Sequence, residues 1–351
     1  MKIQFICAYG RNKQADIGIG HLKRCNKLAF EFDKKGYQSN FLVFGNNISE
    51  LGLQHKFIQK LECLSLDSFS NIEKLKDLRF EYSDFTFLDI SNSFFLKFDK
   101  NFNFILEKLK INTKCLIVID GLGVESYINQ SQYSNEYDYL IAPYFGAEIT
   151  FKKAKNHLLG PKFFISEDNI SGFRKKIKKM ASNVLITCGG SDPQNITYEI
   201  LKSLHMMNQS KIKLKIIIGP NFYDKHIEKI KKLVTNNSME VDYIKSPESL
   251  QNYIKSSDVV IATSGLTKYE ILSTGTPSII IPFDKKQFKL NIESSKTEAF
   301  LTINRDKIMT NLRKELVSLL ENKNLRLKMS IKASELIDGK GINRIIKHIG
   351  I

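Results

Sequence analysis

Asp258-Val259-Val260-Ile261-Ala262-Thr263-Ser264-Gly265-Leu266-Thr267-Lys268-Tyr269-Glu270, followed by Gly275-Thr276-Pro277-Ser278 and Ile279-Ile280-Ile281-Pro282, is the stretch from which the fold can be read. An apolar strand runs into small residues that open a helix, and a Gly-x-Pro turn leads to a second apolar strand. Strand, helix and strand in this order make a βαβ unit of a parallel sheet. The same alternation extends outward in both directions. Short apolar runs at 2–9, 41–45, 85–90, 115–120 and 139–143 precede Gly160, and runs at 183–190 and 214–219 precede the quoted unit. The segment from about 156 to 177 contains Gly160-Pro161 and a polar turn around Glu167 to Gly172, shows no clear strand, and is placed as the linker. A chain of 351 residues is too long for one ordinary core. The expectation is an α/β protein with two Rossmann-like domains, 1–165 and 166–351, whose parallel sheets face a central cleft. The stretch 311–351 reads as two helices separated near Gly339 and Gly341, grouped with the second domain although it could pack back against either.

Composition narrows the function classes. Hydrophobic residues make up 42% and charged residues 26%, ordinary values for a globular protein. The N-terminal apolar run breaks at Gly10-Arg11 without a small-residue cleavage site, so it reads as a strand rather than a signal peptide. No uncharged apolar stretch reaches the roughly 18 to 20 residues that span a bilayer. A cytoplasmic protein is expected. Cys7, Cys25, Cys63, Cys115 and Cys188 lack CxxC spacing, and neither disulfides nor a metal is implied. The net charge of +16 comes mostly from lysines spread along helical faces. Such a field attracts polyanions in general, but no stacking aromatics or reading module accompany it, so nucleic acid is not an expected partner.

Three segments could carry chemistry. Gly18-Ile19-Gly20-His21-Leu22-Lys23-Arg24 follows the first strand and opens a helix with an apolar stripe of Leu22, Cys25, Leu28, Ala29 and Phe32. Free N–H groups there favour an anion. The segment lacks the Lys-Ser/Thr of a Walker loop and the third glycine of a dinucleotide fingerprint, so NAD and ATP lose ground and no cofactor is expected. In the first helical turn the dipole disfavours an imidazolium, which suits His21 to general-base work; capping or packing at the turn is the alternative. Gly189-Gly190-Ser191-Asp192 ends a strand, where α/β sheets bind ligands, and would equally serve as a turn capped by Ser191 or Asp192. Ser264, Gly265, Leu266 and Thr267 would open a helix under a diphosphate, and Glu270 could accept from the two ribose hydroxyls; taken alone, Glu270 reads as a solvated helix carboxylate. Gln287 and Asn291 follow.

Together these motifs resemble the UDP-sugar hydrolases of pseudaminic-acid biosynthesis and their spore-coat polysaccharide relatives, which are similar in turn to MurG-type glycosyltransferases of the GT-B fold. The segment Leu159-Gly160-Pro161-Lys162 resembles the interdomain stretch of that family. The resemblance implies His21 as the group that activates water, and Gly18, Gly20 and Arg24 as substrate-binding residues beside it. It implies that Gly189, Gly190, Ser191, Ser264, Gly265, Leu266, Thr267, Glu270, Gln287 and Asn291 hold the nucleotide-sugar. Where the family carries Asp-x-Tyr after the third strand, this chain has Asp89-Ile90-Ser91; Asp89 and Asp120, both at strand ends, are the candidates for sugar contact, with capping of a following turn as the alternative for each. The implied reaction is hydrolysis of a UDP-linked, acetamido-type sugar at its anomeric C–O bond. A transferase with the same site, held at an anionic membrane by its basic surface, and a non-catalytic nucleotide-sugar binder are the alternatives.

Overall fold

The computed structural model describes residues 1–11, 16–45, 58–90, 93–120, 136–151, 154–166, 170–205, 207, 212–236, 240–247, 249–283, 288, 291 and 294–351. They form two compact units, Met1–Glu167 with Gly339–Ile351, and Asp168–Asp338. Each unit is a parallel sheet with helices, as the alternation predicts.

In the first unit the strands are β1 (Ile3–Arg11), β2 (Asp16–Gly18), β3 (Ser39–Gly45), β4 (Ile58–Leu64), β5 (Ser83–Asp89), β6 (Thr113–Ile119), β7 (Tyr139–Ala142) and β8 (His157–Leu159). Their order is β4-β3-β1-β5-β6-β7-β8, all parallel, with the short β2 antiparallel to β1 through Gly10 and Gly18. The chain starts in the middle, builds one side through β3 and β4, then crosses to β5. The point where strand order reverses therefore lies between β1 and β5, paired from Ile3–Phe85 to Cys7–Asp89. Phenylalanine fills the core beneath it: Phe5 stacks on Phe41 at 4.9 Å and on Phe87 at 5.0 Å between ring centroids. The stripe Leu22, Cys25, Leu28, Ala29 and Phe32 of the helix Gly20–Asp33 closes this core.

The second unit has β9 (Asn183–Thr187), β10 (Lys213–Ile218), β11 (Val241–Lys245), β12 (Val259–Thr263), β13 (Ser278–Ile281) and β14 (Leu301–Thr302), ordered β11-β10-β9-β12-β13-β14 and parallel throughout. Here the reversal falls between β9 and β12.

Three expectations are corrected. The linker region is not strandless: β8 pairs with β7, and Pro161–Phe163 form a 3-10 turn. The stretch from 311 holds three helical segments, not two, in Ile308–Glu321, Lys323–Leu336 and Gly341–Ile349. Asn322 closes the first and caps the second, its side chain accepting from the Leu325 N–H, so no Gly or Pro marks the break. Finally, Gly341–Ile349 belongs with the first unit. Ile342, Ile345, Ile346 and Ile349 lie on one face and enter the core around Phe163 and Ile165. The helix begins so close to the Phe164 carbonyl that a Cβ at Gly341 would collide with it.

Candidate active site

His21 and Arg24 sit three residues apart on the helix Gly20–Asp33, and so share one face. Both point at Asp89, the last residue of β5, across the reversal point of the first sheet. His21 Nδ1 lies 2.6 Å from Asp89 Oδ1. Arg24 places Nε 2.8 Å from Oδ2 and Nη2 2.7 Å from Oδ1, a two-pronged grip on the carboxylate. Asp89 is fully buried, with His21 and Arg24 exposed by only 7% and 4%. Burial works to raise the pKa of Asp89, but Arg24 and His21 together hold it below the ordinary carboxylate value. Burial likewise works against the Arg24 guanidinium, and Asp89 reverses that effect and raises its pKa.

This geometry assigns the imidazole proton. An ionised carboxylate only accepts, so a 2.6 Å contact requires the hydrogen on Nδ1. Arg24 Nη2, 3.0 Å from Nδ1, then donates to Asp89 rather than to the ring. In the neutral ring Nε2 is the acceptor. A ring oriented by a carboxylate, with its lone pair on the far nitrogen, is equipped to take a proton, and the carboxylate stabilises the imidazolium that results.

Both oxygens of Asp89 are engaged by His21 and Arg24, so its carboxylate orients the imidazole. Arg24 is likewise spent on Asp89. Asp120, at the end of β6 and 1% exposed, accepts from the Tyr144 hydroxyl at 2.7 Å. Gly18 ends β2 and Gly20 begins the helix.

In the second unit the two candidate loops leave the adjacent strands β9 and β12 at one carboxyl edge, because Thr187 pairs with Ala262. Gly189 turns at φ +81°, which favours glycine. Gly219, after β10, approaches the Gly189 and Gly190 carbonyls so closely that a Cβ there would strike them. Gly190 and Ser191 are half-buried. Asp192 is the capping residue: its carboxylate accepts from the Ile196 N–H at 2.8 Å and the Thr197 N–H at 2.9 Å. Burial raises its pKa despite those bonds. Asp192→Ala is expected to cost about 1–2 kcal/mol in urea unfolding, since two buried N–H groups lose their acceptor and alanine tolerates the local φ of +40° poorly. An unchanged midpoint would show that the cap carries no stability.

Ser264 follows β12, Gly265 is the N-cap of the helix Leu266–Thr274, and Leu266 and Thr267 are its first residues. Glu270 lies on that helix and is half-buried. Gln287 lies outside the described residues. Asn291 is 1% exposed, and its Oδ1 accepts from Lys268 Nζ at 2.7 Å. The sequence gives no role to Lys268, which the structure buries together with Thr267 and Tyr269.

Comparison with known proteins fits this architecture. Residues 183–349 match the glycosyltransferase family 28 C-terminal domain. Over its full length the chain superposes on MurG of Acinetobacter baumannii with a TM-score of 0.63 at 13% identity, covering 100% of this chain and 99% of that one. The fold is GT-B.

The chain is also similar to the UDP co-structure of MnaA from S. aureus, with a TM-score of 0.65, 14% identity and coverage of 99% and 95%. In sequence, the spore coat polysaccharide biosynthesis protein SpsG of Bacillus subtilis is 22% identical over 93% of both chains. An uncharacterized protein of Methanocaldococcus jannaschii is 25% identical over 51% of this chain, which spans only 42% of that protein's length. No helix among the described residues of this GT-B chain is long and apolar enough to cross a membrane.

Proposed function

We propose that this protein hydrolyses a UDP-linked sugar, with His21 as the general base. The observation that carries the reading is the His21–Asp89 contact at the reversal point of the first sheet, which leaves Nε2 as the ring's acceptor. In the proposed step, water gives a proton to Nε2 while its oxygen bonds to the anomeric carbon. The bond from that carbon to the diphosphate oxygen breaks, and UDP leaves with the electron pair. A diphosphate is a good leaving group, so one base and a site for the departing charge suffice. The N-terminus of the helix Leu266–Thr274 would receive that charge, Glu270 the ribose hydroxyls, and Gly189, Gly190 and Ser191 the backbone of the nucleotide. The match of residues 183–349 to a glycosyltransferase domain and the full-length similarity to SpsG, named for polysaccharide biosynthesis, support a nucleotide-sugar substrate.

Transfer to a sugar hydroxyl is the second reading, favoured by the likeness to MurG, because the same base would serve either nucleophile. The test incubates purified protein with UDP-activated acetamido sugars and no acceptor, and follows UDP and free sugar by mass spectrometry. Release of both supports hydrolysis; intact substrate, together with measurable UDP binding, overturns it in favour of transfer. In the same assay Glu270→Ala is expected to weaken UDP binding about tenfold and change kcat much less, as the loss of hydrogen bonds made equally before and during reaction. Unaltered UDP affinity would remove Glu270 from the nucleotide site.

A further inference from the structure

We propose that Lys268 is a positioning residue: its amine fixes the Asn291 carboxamide so that Nδ2 presents a hydrogen-bond donor to an oxygen of the nucleotide-sugar. The inference rests on the nucleotide-sugar reading and deepens it.

Lysine is among the residues least often buried, yet Lys268 is 4% exposed. It also stands in the first turn of the helix Leu266–Thr274, where the positive end of the helix dipole opposes an ammonium. Burial pulls its pKa down to about 7. The rings of Tyr269, 4.7 Å away, and Phe300, 5.7 Å away, give it partial compensation. A methionine would fill this place without any of these costs, so packing does not explain the amine.

Its bond to Asn291 does. Protonated or neutral, Nζ has a hydrogen to give, and Oδ1 receives it at 2.7 Å. That orients the carboxamide and leaves Nδ2 as a donor. Among the described residues this Nδ2 has no acceptor, although Asn291 is 1% exposed. A buried donor without a partner is rare and costly, and a bound oxygen would satisfy it. Helix and carboxamide together therefore make a place for an acceptor: a phosphate oxygen or a sugar oxygen of the same ligand.

Calorimetric titration of UDP and of UDP-GlcNAc into wild type, Lys268→Met, Lys268→Gln, Asn291→Ala and the Lys268→Met/Asn291→Ala double variant tests this. Lys268→Met and Asn291→Ala are each expected to lose about tenfold in affinity. The double variant should lose no more than the weaker-binding single variant, because Lys268 acts only through Asn291. Lys268→Gln, which keeps a donor, should bind better than Lys268→Met. Thermal melting should show Lys268→Met at least as stable as wild type, the opposite of what a purely structural lysine would give. Loss for both ligands assigns Nδ2 to the diphosphate, and loss for UDP-GlcNAc alone assigns it to the sugar. Wild-type affinity in Lys268→Met, or additive losses in the double variant, overturns the proposal. Failure of the wild type to bind either ligand overturns the nucleotide-sugar reading itself.

Discussion

Replacement of His21 by alanine is expected to slow UDP release from a UDP-sugar by about 10²–10⁴-fold, the usual worth of a positioned general base. UDP affinity should stay within about threefold, because the residues proposed to hold the nucleotide lie in Asp168–Asp338 and His21 does not. The split follows from the tautomer. With the proton on Nδ1 and directed at Asp89, only Nε2 can take the proton of water, and alanine leaves nothing in its place. Steady-state assay of UDP release beside calorimetry of UDP reads both quantities at once. Full turnover in the variant would show that another group is the base. A parallel collapse in UDP affinity would show instead that His21 serves binding.

The second large effect belongs to Asp89→Asn, and it should appear in stability as well as rate. Arg24 is buried and its charge is matched by this carboxylate. Removing one member of a buried pair strands the other, at a cost of about 3–5 kcal/mol. The variant also loses the acceptor that fixes His21 by charge, so turnover should fall by about 10²-fold or more even where the protein remains folded. A pH signature accompanies the change. Because the folded pKa of Asp89 lies below its unfolded value of about 3.9, its contribution is complete above that pH and is lost as pH falls through the folded value. Urea unfolding from pH 7 down to about pH 3 should therefore show a decline in wild type that is shallower in the variant. Equal stability of the two proteins at neutral pH would mean that Arg24 is satisfied elsewhere.

Legibility in the sequence followed burial. The strands evident from apolar runs are the inner ones: β1, β3, β5, β6 and β7 in one sheet, and β9, β10, β12 and β13 in the other. Covered on both faces, they are apolar almost throughout. The strands that escaped are the sheet edges, β4, β8, β11 and β14, together with the short β2. In β4 and β11 charged residues interrupt the run and every residue is partly or fully exposed, while β8 and β14 span only three and two residues. The His21–Arg24–Asp89 cluster was half legible. The three-residue spacing of His21 and Arg24 puts them on one face, but their convergence on Asp89 depends on β1 and β5 being neighbours, and strand order is not written in local pattern. Lys268 was hidden for a related reason: a helical lysine is ordinarily solvated, and only the packing of Phe300 and Asn291 around it reveals otherwise.

The return of Gly341–Ile349 to the first unit makes the order of synthesis matter. A core containing Phe5, Phe32 and Phe87 remains open on one side until residues 339–351 have left the ribosome. At ordinary elongation rates, the intervening Asp168–Asp338 segment delays that moment by on the order of ten seconds or more. A nascent chain can thus complete the unit with the Gly189 and Ser264 loops while the unit with His21 still shows an apolar groove shaped for four isoleucines.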